Sequence, residues 1–594
     1  MKQLQLDARS DFALRDSLFS LRALIDSEKP KATVLHIYTA GGTFDELSGV
    51  CASIDEIIPE ALYLGATCSA AIGPGEYEGS GTRIFATLYY SEGIRAEVLH
   101  FPYVPGDVAP CDQTDEAIVR ALEDRPWAQG AELFCVSGGE QRSGYGRLLG
   151  SIPERITVMG ARAMTPQWDT AAGMVFSNCG KVERRSAVML VLGGPEIEFC
   201  VSLVSGWSAV GRRCALKTSS RQVISELDNL PPVELYKRYL GFENDRYFLK
   251  NAVGFPLLCT MKSGEQALRS PREVMKNGAL AMCADCGDFE TAAMAYGSAR
   301  KIREELYRGC AALAAFSPEC IRIYDCELRR AYWSSEHIAG ELSPLDSVAP
   351  IAGMFSGSEY IRPAGGKFFM VHNQVLLAIG VREDHGKGAA ARSRGYTAPS
   401  EPRGVLSIED RLVNFLSEAT SELEQANARL RHMAATDSLT GLSNRIAMRE
   451  ALNGALEEGG SWTVVMADID GFKQVNDTYG HLCGDQVIVA LSKLIETEFA
   501  ASSLRYRAGR YGGDEFIVLS EGEPSLVLGI VNAIRAKFSA LKFDYGCQCT
   551  LSLGLAPILK GDDEDRACRR ADRALYRSKG LGRNRATLWE ADEA

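Results

Sequence analysis

The chain has 594 residues, of which 46% are apolar and 24% charged, and carries a net charge of −12. That length exceeds what one core can hold and calls for three or four domains. The acidic balance argues against non-specific nucleic-acid binding, and no apolar run reaches the roughly 20 residues that cross a bilayer.

The opening Met1-Lys2-Gln3-Leu4-Gln5-Leu6-Asp7 has no apolar h-region, so a cytoplasmic protein without a membrane segment is expected. Residues 1–29 are set apart as an N-terminal extension. Thr33-Val-Leu-His-Ile-Tyr38 is a compact apolar run that ends at Ala40-Gly41-Gly42, and Leu133-Phe-Cys-Val136 ends similarly at Ser137-Gly138-Gly139. Short strands that break at glycines and alternate with helical stretches predict layered α/β sheets covered by helices. Seventeen cysteines, an odd number scattered along the chain, read as reduced and mostly buried thiols rather than a disulfide framework. Cys283 and Cys286 form one C-x-x-C; a structural zinc would need two further ligands, and no partner pair follows. His36, His100 and His372 show no metal spacing and read as structural histidines.

Near Gly386 the composition turns small and charged, and the Pro- and Gly-containing stretch 386–404 reads as a linker. Leu412, Leu416, Ala419, Leu423, Ala426, Leu430 and Met433 then step by four and three residues. This narrow a/d seam predicts a parallel two-helix coiled coil over 405–434, and with it a homodimer. A helix packed on its own chain is the alternative, although that usually shows a wider apolar stripe.

From residue 435 to 594 the chain carries dense chemistry. Asp437-Ser-Leu-Thr-Gly-Leu-Ser-Asn-Arg445 is a turn-rich helix entry. Trp462-Thr-Val-Val-Met-Ala467 predicts a buried strand that delivers Asp468-Ile469-Asp470-Gly471-Phe472-Lys473 to its C-terminal end, where α/β sheets place ligands. Asn476-Asp-Thr-Tyr-Gly-His481 and Gly484-Asp485 follow. Tyr506-Arg-Ala-Gly-Arg-Tyr-Gly512-Gly513-Asp514-Glu515-Phe516 has the form of a hairpin whose two glycines supply positive φ. Lys579-Gly-Leu-Gly-Arg583-Asn-Arg585 ends a helix in a basic loop.

These pieces suit phosphoryl chemistry on a nucleoside triphosphate. Magnesium takes hard carboxylate oxygens and keeps water and phosphate as its other ligands, so Asp468 and Asp514 could hold it, with Glu515 as a further contributor. Free N–H groups around Gly471, Phe472 and Lys473 can cradle β and γ phosphates. Gly512 and Gly513 let backbone approach a base or phosphate, and Lys579 and Arg583 add cationic contacts. Asp485 can accept from the N1 and N2 donors of guanine while Asn476 pairs with its ring edge, a pattern that suits adenine poorly.

Residues 435 to about 590 closely resemble the GGDEF family of diguanylate cyclases, through DSLTGLSNR, DIDGFKQVNDTYGHLCGD, RYGGDEF and GRNR. The resemblance implies a sheet with surrounding helices, related to polymerase palm and adenylyl cyclase domains. It also implies a nucleotidyltransferase that converts two GTP molecules into cyclic di-GMP and two pyrophosphates. Asp468, Asp514 and the Ile469 carbonyl become the ligands of Mg2+, with Mn2+ as a substitute. Asp514 takes the proton from the attacking 3′-hydroxyl. The expected GTP site is Gly471, Phe472, Lys473, Asn476, His481, Asp485, Gly512, Gly513, Lys579 and Arg583. The family's product-inhibitory R-x-x-D falls here on Ser503 and Tyr506, which cannot make the charge-assisted bonds the product requires. The alternative is a catalytically silent domain that binds GTP and signals by protein contact.

Residues 30–385 resemble a FIST module, with a FIST N-like segment over 30–225 and a FIST C-like segment over 226–385. The resemblance rests on Ser205-Gly206-Trp207 through Gly211, Leu227 to Tyr236, Pro350 to Tyr360, and Phe369 to Gln374. It implies a sensor for a small molecule, with amino acids or their derivatives as the expected class. Leu64-Gly65-Ala-Thr67-Cys68-Ser69 through Ile72 is also similar to Ala352-Gly353 through Tyr360. Thr67, Cys68, Ser69, Ser356 and Glu359 are therefore candidate ligand contacts, against the alternative that small residues there simply allow close packing. Trp207 reads as core. Neither G-x-S-x-G nor H-E-x-x-H occurs to make this region catalytic itself.

Overall fold

Three stretches of the N-terminal region repeat one plan. In each, two parallel strands lie side by side: Ala32–Ala40 with Leu62–Thr67, Ala128–Cys135 with Thr157–Arg162, and Cys320–Cys326 with Ile351–Ser356. A returning antiparallel strand (Gly81–Tyr89, Ser186–Gly193 or Leu376–Glu383) flanks each pair. An edge strand follows: Lys2–Leu6, Arg95–Pro102 or Ile197–Val204. After its second parallel strand, each repeat gives a hairpin to a neighbouring repeat's sheet. Ala71–Gly73 thus pairs with Ile351–Ser356, Val175–Ser177 with Leu62–Thr67, and Glu359–Arg362 with Thr157–Arg162. Three six-stranded sheets of identical strand order result.

The computed structural model describes residues 1–103, 112–136, 151–383 apart from 168, 180, 334, 367 and 368, short pieces between 411 and 426, and 435–590 apart from 544 and 545. Its contacts divide the chain into two compact units, Met1–Thr420 and Ser421–Ala594.

Close backbone approach sets the repeat's signature. A Cβ on Gly65 would lie 2.2 Å from the Ile37 carbonyl oxygen, one on Gly160 2.0 Å from that of Leu133, and one on Gly353 1.8 Å from that of Ile323. Only glycine fits where the paired strands press together. The residues that follow Ile37, Leu133 and Ile323 are Tyr38, Phe134 and Tyr324, fully buried rings that meet edge-on at 6.1 and 5.8 Å. Those that precede them are His36, Glu132 and Arg322, likewise buried. His36 Nε2 lies 3.0 Å from Glu132, Tyr324 donates to the same carboxylate, and Arg322 donates to Thr87 Oγ1 at 2.6 Å. Burial pushes His36 below the usual imidazole range. Glu132 would be raised by burial, but His36, Arg322 and Tyr324 together hold it low. Buried charges are tolerated here because each has a partner.

Between Ile197–Val204 and the helix Ala299–Phe316 the third repeat carries an insertion, a seven-stranded sheet built largely around the long strand Trp207–Ser220 and its partner Phe289–Gly297. Trp207 is core, packed 5.5 Å from Tyr332. The Ser205 and Gly206 N–H groups donate to Glu305 at 2.9 and 2.8 Å, a structural role for that motif.

The structure corrects two readings. Residues 1–29 are no extension: Lys2–Leu6 completes the first sheet, and the helix Asp11–Glu28 buries Leu14, Leu18 and Leu21. The position 225/226 is no boundary between separate folds, because strands cross it in both directions. The linker 386–404, Ser137–Gly139, Leu430 and Met433 lie outside the described residues. The described positions from 411 to 426 are helical, and Leu412, Leu416, Ala419, Leu423 and Ala426 are exposed there.

The second unit has one five-stranded sheet, ordered Tyr506–Gly512, Glu515–Glu521, Trp462–Asp470, Thr550–Pro557 and Ala586–Leu588, antiparallel except for the last pair. Strand alternation gives its two faces. Val465, Ala467 and Ile469 meet the helices His481–Ala500 and Pro524–Ala540, while Trp462, Val464 and Met466 meet Arg445–Glu458 and Glu564–Gly580. The period of two then sends Asp468 and Asp470 to the side of Glu564–Gly580.

Candidate active site

Asp468 lies two residues before the end of the central strand, 8% exposed, and pairs across the sheet with Glu515. The next residue, Ile469, donates its N–H to the Asp514 carbonyl at 3.4 Å, which fixes the hairpin tip beside it. Gly512 pairs with Glu515, leaving Gly513-Asp514 as a two-residue turn. Of the two glycines expected to take positive φ, only Gly513 does, at +45°. That single position is what a II′-type turn requires.

Three carboxylates therefore crowd one strand end. Burial lifts Asp468 above the ordinary carboxylate range, Lys579 opposes this from a 2.8 Å ion pair, and Asp514 and Asp470 add to the rise. Burial likewise lifts Glu515, with Asp468 and Asp514 contributing. Such mutual repulsion is what a divalent cation relieves. Among the described residues, no three His, Cys, Asp or Glu side chains are arranged to hold a metal alone. The donor set is hard oxygen, two carboxylates and a neighbouring carbonyl, and fits magnesium, which retains water and phosphate.

The helix Phe472–Tyr479 begins at Gly471, whose carbonyl accepts from Gln474 and Val475. Its first N–H groups, those of Phe472 and Lys473, have no carbonyl one turn back. Gly480 then turns the chain into His481–Ala500. His481 and Asp485 are exposed near the start of that helix. A Cβ on Gly484 would lie 2.0 Å from Asn476 Oδ1, so the Asn476 amide rests on the backbone next to Asp485. Arg583 is largely exposed, its Nε 4.0 Å from Asp470. Lys579 pairs with Asp468 at 2.8 Å, at the edge of the same acidic cluster.

The profile described as "Diguanylate cyclase, GGDEF domain" matches residues 434–585, and "FIST C domain" matches 232–362. The chain carries a GGDEF diguanylate cyclase domain with a FIST C domain N-terminal to it. Over 193 residues it is 32% identical to "Probable diguanylate cyclase DgcC" of Escherichia coli (strain K12), covering 31% of this chain and 51% of that one. Over 197 residues it is 32% identical to "Diguanylate cyclase VdcA" of Vibrio cholerae, covering 31% of this chain and 57% of that one. A "Cyclic di-GMP phosphodiesterase PdeR" of Escherichia coli (strain K12) is 35% identical over 170 residues, 27% of this chain and 25% of that one. The chain thus spans about a quarter to three fifths of these curated relatives. Among solved structures, the coiled coil and GGDEF domain of DgcB from Caulobacter crescentus, in complex with c-di-GMP, is 35% identical with a TM-score of 0.28, covering 31% of this chain and all of that one.

Two residues of the GGDEF domain escaped the sequence reading. Asp470 accepts from Thr550 and Ser552 hydroxyls, each at 2.7 Å, and from the Asn584 N–H at 3.1 Å. It thereby anchors the loop of Arg583 and Asn584, whose φ values are +62° and +46°. Arg510 donates to the Gly513 carbonyl at 2.8 Å and approaches Asp437 at 3.4 Å, tying the GG turn to the DSLTGL entry. Asp437 also accepts from Thr440 and, despite partial burial, is held below its usual range. Asp470→Ala would strand two hydroxyls and an N–H. A loss of about 2–4 kcal/mol in urea unfolding is expected, with the KM for GTP rising about tenfold as the Arg583 loop loosens.

The five candidate sensor residues of the N-terminal unit are all buried. Thr67 accepts from the Met174 N–H at 2.8 Å, Ser69 donates to Glu327, and Ser356 donates to Glu359 at 2.8 Å. Burial raises the Cys68 thiol and the Glu359 carboxyl. Ser356 lines a cavity; Thr67 and Ser69 hold neighbouring strands. Cys286 is buried, and burial lifts the thiols of both it and Cys283.

Proposed function

We propose that the GGDEF domain is an active diguanylate cyclase, making cyclic di-GMP and two pyrophosphates from two GTP molecules. The carrying observation is the acidic strand end, where Asp468 and the Gly513-Asp514 turn lie together with Lys579 alongside. Asp468, Asp514 and the Ile469 carbonyl would hold Mg2+, or Mn2+ in its place. When bound, the cation supplies charge neutralisation at the α-phosphate and lowers the pKa of the attacking hydroxyl. Asn476 and Asp485 orient guanine. The Phe472 and Lys473 N–H groups, with Lys579 and Arg583, hold the β and γ phosphates against rotation. Asp514 accepts the 3′-hydroxyl proton; the freed oxygen bonds to the α-phosphorus of the facing GTP, whose bond to pyrophosphate breaks.

Each domain binds one GTP, so two must face each other in a homodimer. The apolar seam from Leu412 to Ala426, exposed on one chain, supports a coiled coil that raises the local concentration of the second domain. The FIST region is the regulator, its signal a small molecule. One observation favours the silent GTP-binding reading: one relative of this region carries the name of a phosphodiesterase.

Pyrophosphate release from saturating GTP separates the two readings. Activity should vanish with EDTA and return with Mg2+ or Mn2+; GTP binding without release under either metal would favour the silent domain. Micromolar cyclic di-GMP should leave the rate unchanged, because Ser503 is exposed and uncharged and Tyr506 is stacked 5.2 Å from Phe499. Dose-dependent product inhibition of the wild type would contradict this.

A further inference from the structure

Where the inserted sheet adjoins the second and third repeats, a cavity of about 580 Å³ opens to the surface. Arg162, Arg246, Lys250 and Arg272 line it, over an apolar wall that includes Leu249, Met282 and Leu328. Its volume is that of a small-molecule site. Glu327 is the carboxylate of this lining, and Arg330 already neutralises it through two bonds of 2.8 and 2.7 Å. Arg162 is the decisive group. Only 5% exposed, it meets the Cys283 carbonyl at 3.2 Å and the Tyr360 hydroxyl at 3.4 Å, both neutral. Arg246 bonds a neutral partner too, the Tyr247 hydroxyl. None of the four cations forms an ion pair among the described residues. A buried guanidinium without a counter-charge is costly, and its planar fork suits a carboxylate or phosphate.

We propose that this cavity binds a small organic anion, a carboxylate or phosphate group facing Arg162 and a short apolar body against Leu249, Met282 and Leu328. Arg246, Lys250 and Arg272 come from the insertion and Arg162 from the second repeat, so the anion would clamp the two together. The inference deepens the sensor reading but stands on binding alone.

Thermal unfolding of the full chain tests it with succinate, inorganic phosphate, uncharged succinamide and sodium chloride at matched ionic strength. Succinate or phosphate should raise the unfolding temperature saturably by about 3 °C at a hundredfold excess over Kd, whereas succinamide and chloride should not. A response to succinate alone identifies a carboxylate ligand, and one to phosphate alone a phosphate ligand. The shift should disappear in Arg162→Gln and in the double variant Arg246→Glu/Arg272→Glu, whose replaced side chains are exposed and spare the fold. No shift with either anion, or a shift that survives the double variant, overturns the proposal. Binding with an unchanged pyrophosphate rate would uphold the cavity and remove only its role in regulation.

Discussion

Asp514→Asn is expected to lower kcat for cyclic di-GMP formation by about 10³-fold or more, since it removes a metal ligand and the proton acceptor together. Folding should be unharmed. The Asp514 side chain is half-buried at the hairpin tip, and it is the backbone carbonyl, which the variant keeps, that binds Ile469. Removing one charge from the crowd of Asp468, Asp514 and Glu515 relieves repulsion, so the unfolding temperature should hold or rise slightly. A drop in both activity and unfolding temperature would instead mark Asp514 as structural. Retained activity would remove the assigned proton acceptor.

The largest expected effect on stability is at Gly353. A Cβ there would sit 1.8 Å from the Ile323 carbonyl oxygen, 2.6 Å from its carbon and 2.9 Å from the Ile323 Cα. All three are backbone atoms in a paired strand, so no rotamer change relieves the clash. Gly353→Ala should cost about 4 kcal/mol or more in urea unfolding of the N-terminal unit, and Gly65→Ala and Gly160→Ala should behave alike. Gly340 is the control: it lies in the helix Ser335–Val348 with open space around it, and Gly340→Ala should stabilise by about 0.5–1 kcal/mol. A Gly353→Ala protein within about 1 kcal/mol of the parent would contradict the strand contact.

The candidate active site was legible because its chemistry is local. An apolar run ending in Asp468 and a Gly-Gly-Asp turn place carboxylates without knowledge of distant residues. Asp470 was less legible although it shares Asp468's face, because its role depends on Thr550, Ser552 and Asn584, about 80 to 114 positions away. Arg510 was hidden for the same reason, being 73 positions from Asp437.

In the N-terminal unit the apolar runs at Thr33–Tyr38 and Leu133–Val136 marked true strands. The likeness of Leu64–Ile72 to Ala352–Tyr360 was a genuine trace of the repeat, anchored at Gly65 and Gly353. Its third copy kept the glycine, Gly160, but follows it with Ala161, Arg162, Ala163 and Met164 in place of small hydroxylated residues, which removed the visible pattern. The exchange of hairpins between sheets is set by long-range pairing, and no local signal reports it. The hydroxyls of Thr67 and Ser69 read as ligand contacts because a small polar residue after a strand serves a cavity and a tight packing contact equally well.

The most direct test is the mass spectrum of the product after the purified chain is incubated with GTP and Mg2+. Cyclic di-GMP accompanied by two pyrophosphates per molecule, absent with Asp514→Asn, is the expected result. Intact GTP recovered from a folded chain that binds it with metal present would contradict the catalytic account.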